Sequence, residues 1–144
     1  MDTIITRRAP DGRNYDLKFV GGDSYLTVRV TRGHQPVGYA KLSLKDKTAK
    51  LEDIQILEWA PNANPLLQLL PLKWFRCNFR GRGIGSLLLH CVCGHLRTSG
   101  FVRIEGTMSG DIGRLVRWYR KAGFVADLSS RHISKELVVH SQGG

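Results

Sequence analysis

The stretch Arg80-Gly81-Arg82-Gly83-Ile84-Gly85-Ser86 sets three glycines and two arginines where a loop runs into a helical pattern. Glycine lets the backbone come close to a ligand and adopt positive φ. The first N–H groups of a helix have no intrahelical partner, and the helix dipole adds positive potential at that end. A start of this kind accepts phosphate or pyrophosphate, and Arg80 and Arg82 supply charged donors beside it. The dinucleotide fingerprint is excluded, because its sixth position, counted from Gly81, is Ser86. The Walker loop is excluded because the stretch contains no lysine. A tight, well-packed turn is the plain alternative reading of these glycines.

The charge pattern agrees with an anionic ligand. Lys and Arg total 22 against 12 Asp and Glu, a formal charge of +10. No acidic residue stands between Glu58 and Glu105, while Lys73, Arg76, Arg80, Arg82, Arg97 and Arg103 all fall there. A field of one sign attracts cofactor phosphates, nucleic acid or an acidic protein face, or simply keeps the protein soluble. Arg114, Arg117 and Lys121 recur at three- and four-residue spacing, which lines them along one helix face. That stripe is the basis of a nucleic-acid reading, although no nucleic-acid-binding motif accompanies it.

Metal chemistry finds little support. His90 and His95 are five apart, not at the four-residue spacing of helical zinc ligands. Cys91 and Cys93 sit about 200° apart around a helix and do not share one metal easily. With Cys77 they make an odd number, which argues for reduced thiols in a cytoplasmic protein. The first ten residues hold no apolar signal region, and no apolar run reaches the ~18–20 residues of a membrane span.

The elements that must position these residues follow from periodicity. Tyr15 to Val20, Tyr25 to Val30, Val37 to Leu44 and Lys50 to Leu57 read as strands of an antiparallel meander, punctuated by glycine and proline turns. Residues 59–79 hold Pro61, Pro65 and Pro71 around a leucine cluster and read as an insertion with a short apolar helix. From Gly83 the pattern turns helical, with Ile84, Leu87, Leu88, Cys91 and Val92 on one face and Gly100 as the stop. Phe101 to Glu105 reads as a strand. A second helix follows, capped by Ser109 or Asp111, with Ile112, Leu115, Val116 and Tyr119 on one face. Phe124 to Leu128 and His132 to Val139 close the chain as strands. One α/β (α+β) domain over residues 1–144 accounts for this order.

Arg80-x-x-Gly83-x-Gly85 resembles the pyrophosphate loop of the GNAT family of N-acetyltransferases. Behind it come an amphipathic helix, a strand at Phe101, and Trp118-Tyr119-Arg120-Lys121-Ala122-Gly123-Phe124, which is similar to that family's Phe-Tyr-x-x-x-Gly-Phe signature. The resemblance covers roughly Leu51 to Phe124. It implies a mixed central sheet with helices packed on it and two parallel strands splayed apart to take acetyl-CoA. The pantetheine arm would pair with the Ile54-Gln55-Ile56 backbone, and the pyrophosphate would sit on Arg80 to Ser86. The implied reaction is direct attack of a primary amine on the thioester, without a metal. Tyr119 matches the tyrosine assigned as proton donor to the departing thiolate, its alternative role being packing. Glu52 or Asp53 would accept the amine's proton, and strand alternation turns those neighbours to opposite faces. Some members acetylate aminoacyl-tRNA or ribosomal proteins.

Three departures stand out. Asp111 and Ile112 occupy the positions where the family usually has asparagine. No helical pattern precedes Asn64, so the usual acceptor wall is missing. Residues 59–79 interrupt the strand-to-loop junction, unless Trp74-Phe75 ends the strand. The leucines of that insertion are expected to wall the acceptor site, to prop the sheet, or to build a homodimer.

Overall fold

The computed structural model describes residues 2–56 and 83–137. The insertion at 59–79 and Arg80, Gly81 and Arg82 lie outside the described residues, as do Cys77, Val138 and Val139. Alternating side chains build the first half. Strands β2 (Asn14–Gly21), β3 (Tyr25–Arg32), β4 (Gln35–Lys45) and β5 (Thr48–Ile56) follow one another as an antiparallel meander. Leu17, Phe19, Leu26, Val28, Ala40, Leu42, Ala49 and Leu51 point to one face and are buried. Each large one stabilises the fold by about 1.5–3 kcal/mol through the apolar surface it removes from water.

An additional strand, β1 (Asp2–Arg8), pairs antiparallel with β2 from Asp2↔Val20 to Arg8↔Asn14. Its residues show no hydrophobic alternation, and Ile4 stays 63% exposed. Backbone pairing holds this edge, so periodicity alone did not reveal it. Residues 2–56 contain no helix, and the helices that the resemblance places behind the first strand are absent there.

Helix α1 (Ile84–Thr98) lays Ile84, Leu88, Leu89, Val92 and Leu96 into the same core. Gly100, at φ +91°, lets the chain reverse, and the Phe101 N–H donates to the Leu96 carbonyl. Strand β6 (Arg103–Thr107) then runs parallel to β5, starting two residues later than the pattern suggested. Helix α2 (Ile112–Lys121) follows, with Asp111 rather than Ser109 as its cap. The closing strands are shorter than expected, β7 at Val125–Ala126 and β8 at His132–Glu136. The Asp127 carboxylate accepts bonds from the Ser129 and Ser130 N–H groups and the Ser130 hydroxyl, which turns the chain early. Among the described residues the sheet has eight strands, in the order β1-β2-β3-β4-β5-β6-β8-β7. Among the described residues no helix is long and apolar enough to cross a membrane.

Two irregularities shape the middle of this sheet. The β5–β6 pairing runs from Thr48↔Arg103 to Leu51↔Gly106 and stops, although β5 continues to Ile56. Between β4 and β5 the register shifts: Leu42 faces Leu51 but Lys41 faces Asp53, leaving Glu52 as an extra, bulged residue.

Leu88 is fully buried between α1 and the meander. Leu88→Ala should lower unfolding free energy by about 2–5 kcal/mol in urea titration, the usual cost of a cavity at such a site. A loss below about 1 kcal/mol would show that α1 packs loosely there.

Candidate functional site

Beyond Leu51↔Gly106 the two parallel strands part, and a cleft of about 540 Å³ opens between them. Ile54, Gln55 and Ile56 line it from β5, and Ser109, Gly110 and Asp111 line it from the loop after β6. The first turn of α1 closes one side with Gly83, Gly85 and Ser86, and α2 the other with Arg114, Leu115, Trp118 and Tyr119.

The start of α1 is a bare helix end. Its cap, Gly83, has φ 78° and offers no side chain, and the first turn holds no acidic residue. The first helical bond runs from the Leu87 N–H to the Gly83 carbonyl. The N–H groups of Ile84, Gly85 and Ser86 therefore have no intrahelical acceptor. Glycine is required at 83 twice over: the backbone is left-handed, and a Cβ would stand 2.6 Å from Pro10 Cγ. Ile84 contributes only its N–H, because its side chain is fully buried in the core.

Trp118 ties the two helices together. Its Nε1–H donates to Ser86 Oγ at 3.1 Å. Its ring lies so close to Gly85 that a Cβ there would stand 3.2 Å from Cζ2 and 3.5 Å from Ile56 Cγ1. The sequence motif named Trp118, but this bond to Ser86 has no counterpart in sequence spacing.

Tyr119 is 4% exposed, edge-on to Trp118 at 4.7 Å and to Phe124 at 5.4 Å. It packs in the core and lines the cleft at once, so its two expected roles do not exclude each other. Burial pushes its phenol up to about 12, which keeps the proton in place throughout the neutral range.

Glu52 and Asp53 do not divide between two faces. Glu52 Oε1 accepts from the Ser43 hydroxyl at 2.8 Å, and Asp53 Oδ2 from the Tyr39 hydroxyl at 2.7 Å. Tyr39, Lys41 and Ser43 share the face of β4 opposite the buried Ala40 and Leu42. The bulge breaks the alternation, so both carboxylates lie on that outer face and neither lines the cleft. Ala49, Leu51, Ile54 and Ile56 carry the missed signal: the apolar spacing slips by one residue between Leu51 and Ile54. The carboxylate that does line the described cleft is Asp111, and its Oδ1 caps α2 by accepting from the Arg114 N–H at 3.3 Å.

His95, Cys91 and Cys93 pack inside the fold. His95 stacks on Phe19 at 4.5 Å, and burial lowers its pKa. Cys91 and Cys93 are buried free thiols whose pKa values burial raises. Among the described residues no group of His, Cys, Asp and Glu side chains could hold a metal ion. Arg114, Arg117 and Lys121 are all exposed on α2.

The raised Tyr119 pKa has a consequence for stability. The neutral phenol is favoured in the folded state, so its contribution is intact below the unfolded value of ~10 and fades as pH climbs toward 12. The loss amounts to about 2–3 kcal/mol across that window. Wild-type stability in urea should therefore fall more steeply from about pH 9 to 11.5 than that of Tyr119→Phe. Parallel curves would show that Tyr119 titrates as if in water.

No family model matches the sequence, and no curated protein matches it. Solved structures do. PaiA N-acetyltransferase from Thermoplasma acidophilum, in complex with coenzyme A, aligns over 78% of this chain with 16% identity and TM-score 0.57. The chain spans 61% of that protein's length. The ribosomal-protein-S18-alanine N-acetyltransferase of Escherichia coli aligns over 100% of this chain and 99% of its own, with 13% identity and TM-score 0.60. A cAMP-binding acyltransferase from Mycobacterium smegmatis aligns over 98% of this chain and 49% of its own, with 12% identity and TM-score 0.67. At such identities the likeness is one of architecture alone: the chain has the GNAT fold, an eight-stranded mixed sheet with two helices among the described residues.

Proposed function

We propose that the protein is an acetyl-CoA-dependent N-acetyltransferase acting on a primary amine. One observation carries this reading. The uncapped start of α1 and the buried Tyr119 line one cleft, at the place where two parallel strands separate. Similarity of fold to N-acetyltransferases, one of them in complex with coenzyme A, supports it.

Each residue then has a task. The N–H groups of Ile84, Gly85 and Ser86 hold the pyrophosphate, with Arg80 and Arg82 completing the loop. Ile54, Gln55 and Ile56 offer the free backbone edge of β5 to the pantetheine arm, and a strand N–H there stabilises charge on the thioester oxygen. The neutral amine attacks the thioester carbon, the C–S bond breaks, and sulfur leaves as a thiolate. Tyr119 gives that thiolate its proton. Its raised pKa does not forbid this, because the thiolate forms in the same dry place and its own affinity for a proton rises there. Glu52 and Asp53 lie outside the cleft lining, so either takes the amine's proton through water rather than by contact.

The acceptor is an amine, and a negatively charged carrier suits the exposed Arg114, Arg117 and Lys121 and the formal charge of +10. Aminoacyl-tRNA, or a ribosomal protein presented on ribosomal RNA, would satisfy that condition, and a protein of like fold is named for acetylating ribosomal protein S18. Reduced, buried Cys91 and Cys93 suit a cytoplasmic setting.

Acetyl-CoA incubated with a panel of amines, polyamines, peptides and charged tRNA should release free thiol with at least one acceptor. On that acceptor Tyr119→Phe should lower kcat by on the order of 10²-fold, with KM for acetyl-CoA little changed. An unchanged kcat returns Tyr119 to packing, and no thiol release across the panel contradicts the reading as a whole.

A further inference from the structure

Arg114 is the cationic side chain that lines the described part of the cleft, and it reaches it from α2 rather than from the glycine loop. It is exposed, whereas Tyr119, on the same helix and in the same cleft, is 4% exposed. Five residues separate them, about 7 Å along the axis. Arg114 therefore stands at the mouth of the cleft and Tyr119 at its floor. Asp111 is the nearest acid on α2, but its Oδ1 is turned to the Arg114 backbone N–H as the helix cap. Among the described residues the Arg114 guanidinium has no hydrogen bond or ion pair. A guanidinium with no partner among the described residues, exposed at the edge of a cleft that the start of α1 also lines, is suited to a phosphate oxygen.

We propose that Arg114 binds a phosphate of the nucleotide end of the acyl donor and so forms a second phosphate contact, separate from the glycine loop. This inference rests on the reading of the cleft as an acetyl-CoA site. The donor has its thioester at one end and its phosphates at the other. If Tyr119 meets the thioester on the floor, phosphate lies toward the mouth, on the Arg114 side. Two groups could supply the oxygen, the pyrophosphate and the ribose 3′-phosphate. Arg117 and Lys121, further along the exposed face, do not line the cleft and take no part.

Binding of CoA and of 3′-dephospho-CoA is measured calorimetrically for wild type, Arg114→Ala, Arg114→Lys and Arg117→Ala. The backbone N–H that Asp111 caps survives in each variant, and far-ultraviolet circular dichroism checks that α2 is intact. Arg114→Ala should raise Kd for CoA by about tenfold, the scale of one charge-assisted contact. Arg114→Lys should recover part of the loss, and Arg117→Ala should bind as wild type does. A loss seen with CoA and absent with 3′-dephospho-CoA assigns the contact to the 3′-phosphate. An equal loss with both assigns it to the pyrophosphate. Tight CoA binding by the wild type with no change in Arg114→Ala overturns this inference and leaves the acetyltransferase reading standing. Absence of CoA binding by the wild type removes both.

Discussion

The structure turns on the point where β5 and β6 stop pairing. Through Leu51↔Gly106 they share a parallel ladder; past it β5 runs on to Ile56 while β6 ends at Thr107. A strand edge without a neighbour leaves N–H and C=O groups that need partners. On its other side β5 stays bonded to β4 as far as Gly38↔Ile56, so the strand keeps its shape while the opposite edge has no partner among the described residues. An extended ligand with amide groups of its own satisfies that edge as a further strand would. The bulge at Glu52 falls where the separation begins and strengthens the local twist.

The two helices make the opening usable. α1 brings its uncapped start to the end of β5, and α2 brings Tyr119 to the floor. Their relative position is set by the Trp118–Ser86 hydrogen bond and by the absence of a side chain at Gly85. On the proposed reading, anchoring, pairing and proton donation occupy successive stretches of one cleft. The exposed Arg114, Arg117 and Lys121 of α2 add long-range attraction for an anionic ligand.

Much of this was legible in the residues. Glycines before an amphipathic run located the helix start, Gly100 marked the end of α1, and Ser109 or Asp111 marked the start of α2. The meander followed from alternation at Leu17/Phe19, Leu26/Val28/Val30 and Ala40/Leu42. β1 was not legible, because an edge strand held by backbone bonds needs no hydrophobic period. The orientation of Glu52 and Asp53 failed for a definite reason. Alternation holds only while the register does, and one inserted residue reverses it. The Trp118–Ser86 bond joins residues 32 positions apart, a relation that local pattern does not contain. Arg114 read as one member of a surface stripe, and only the placement of α2 turned it toward the cleft.

On the proposed reading, the N–H groups of Ile84, Gly85 and Ser86 at the start of α1 receive the pyrophosphate of coenzyme A. Amide resonances of Ile84, Gly85 and Ser86, followed in ¹⁵N-labelled protein during a CoA titration, test it directly. These three signals should move downfield and saturate together, with Gly94 further along α1 unmoved. Saturable CoA binding that leaves all three in place would contradict it.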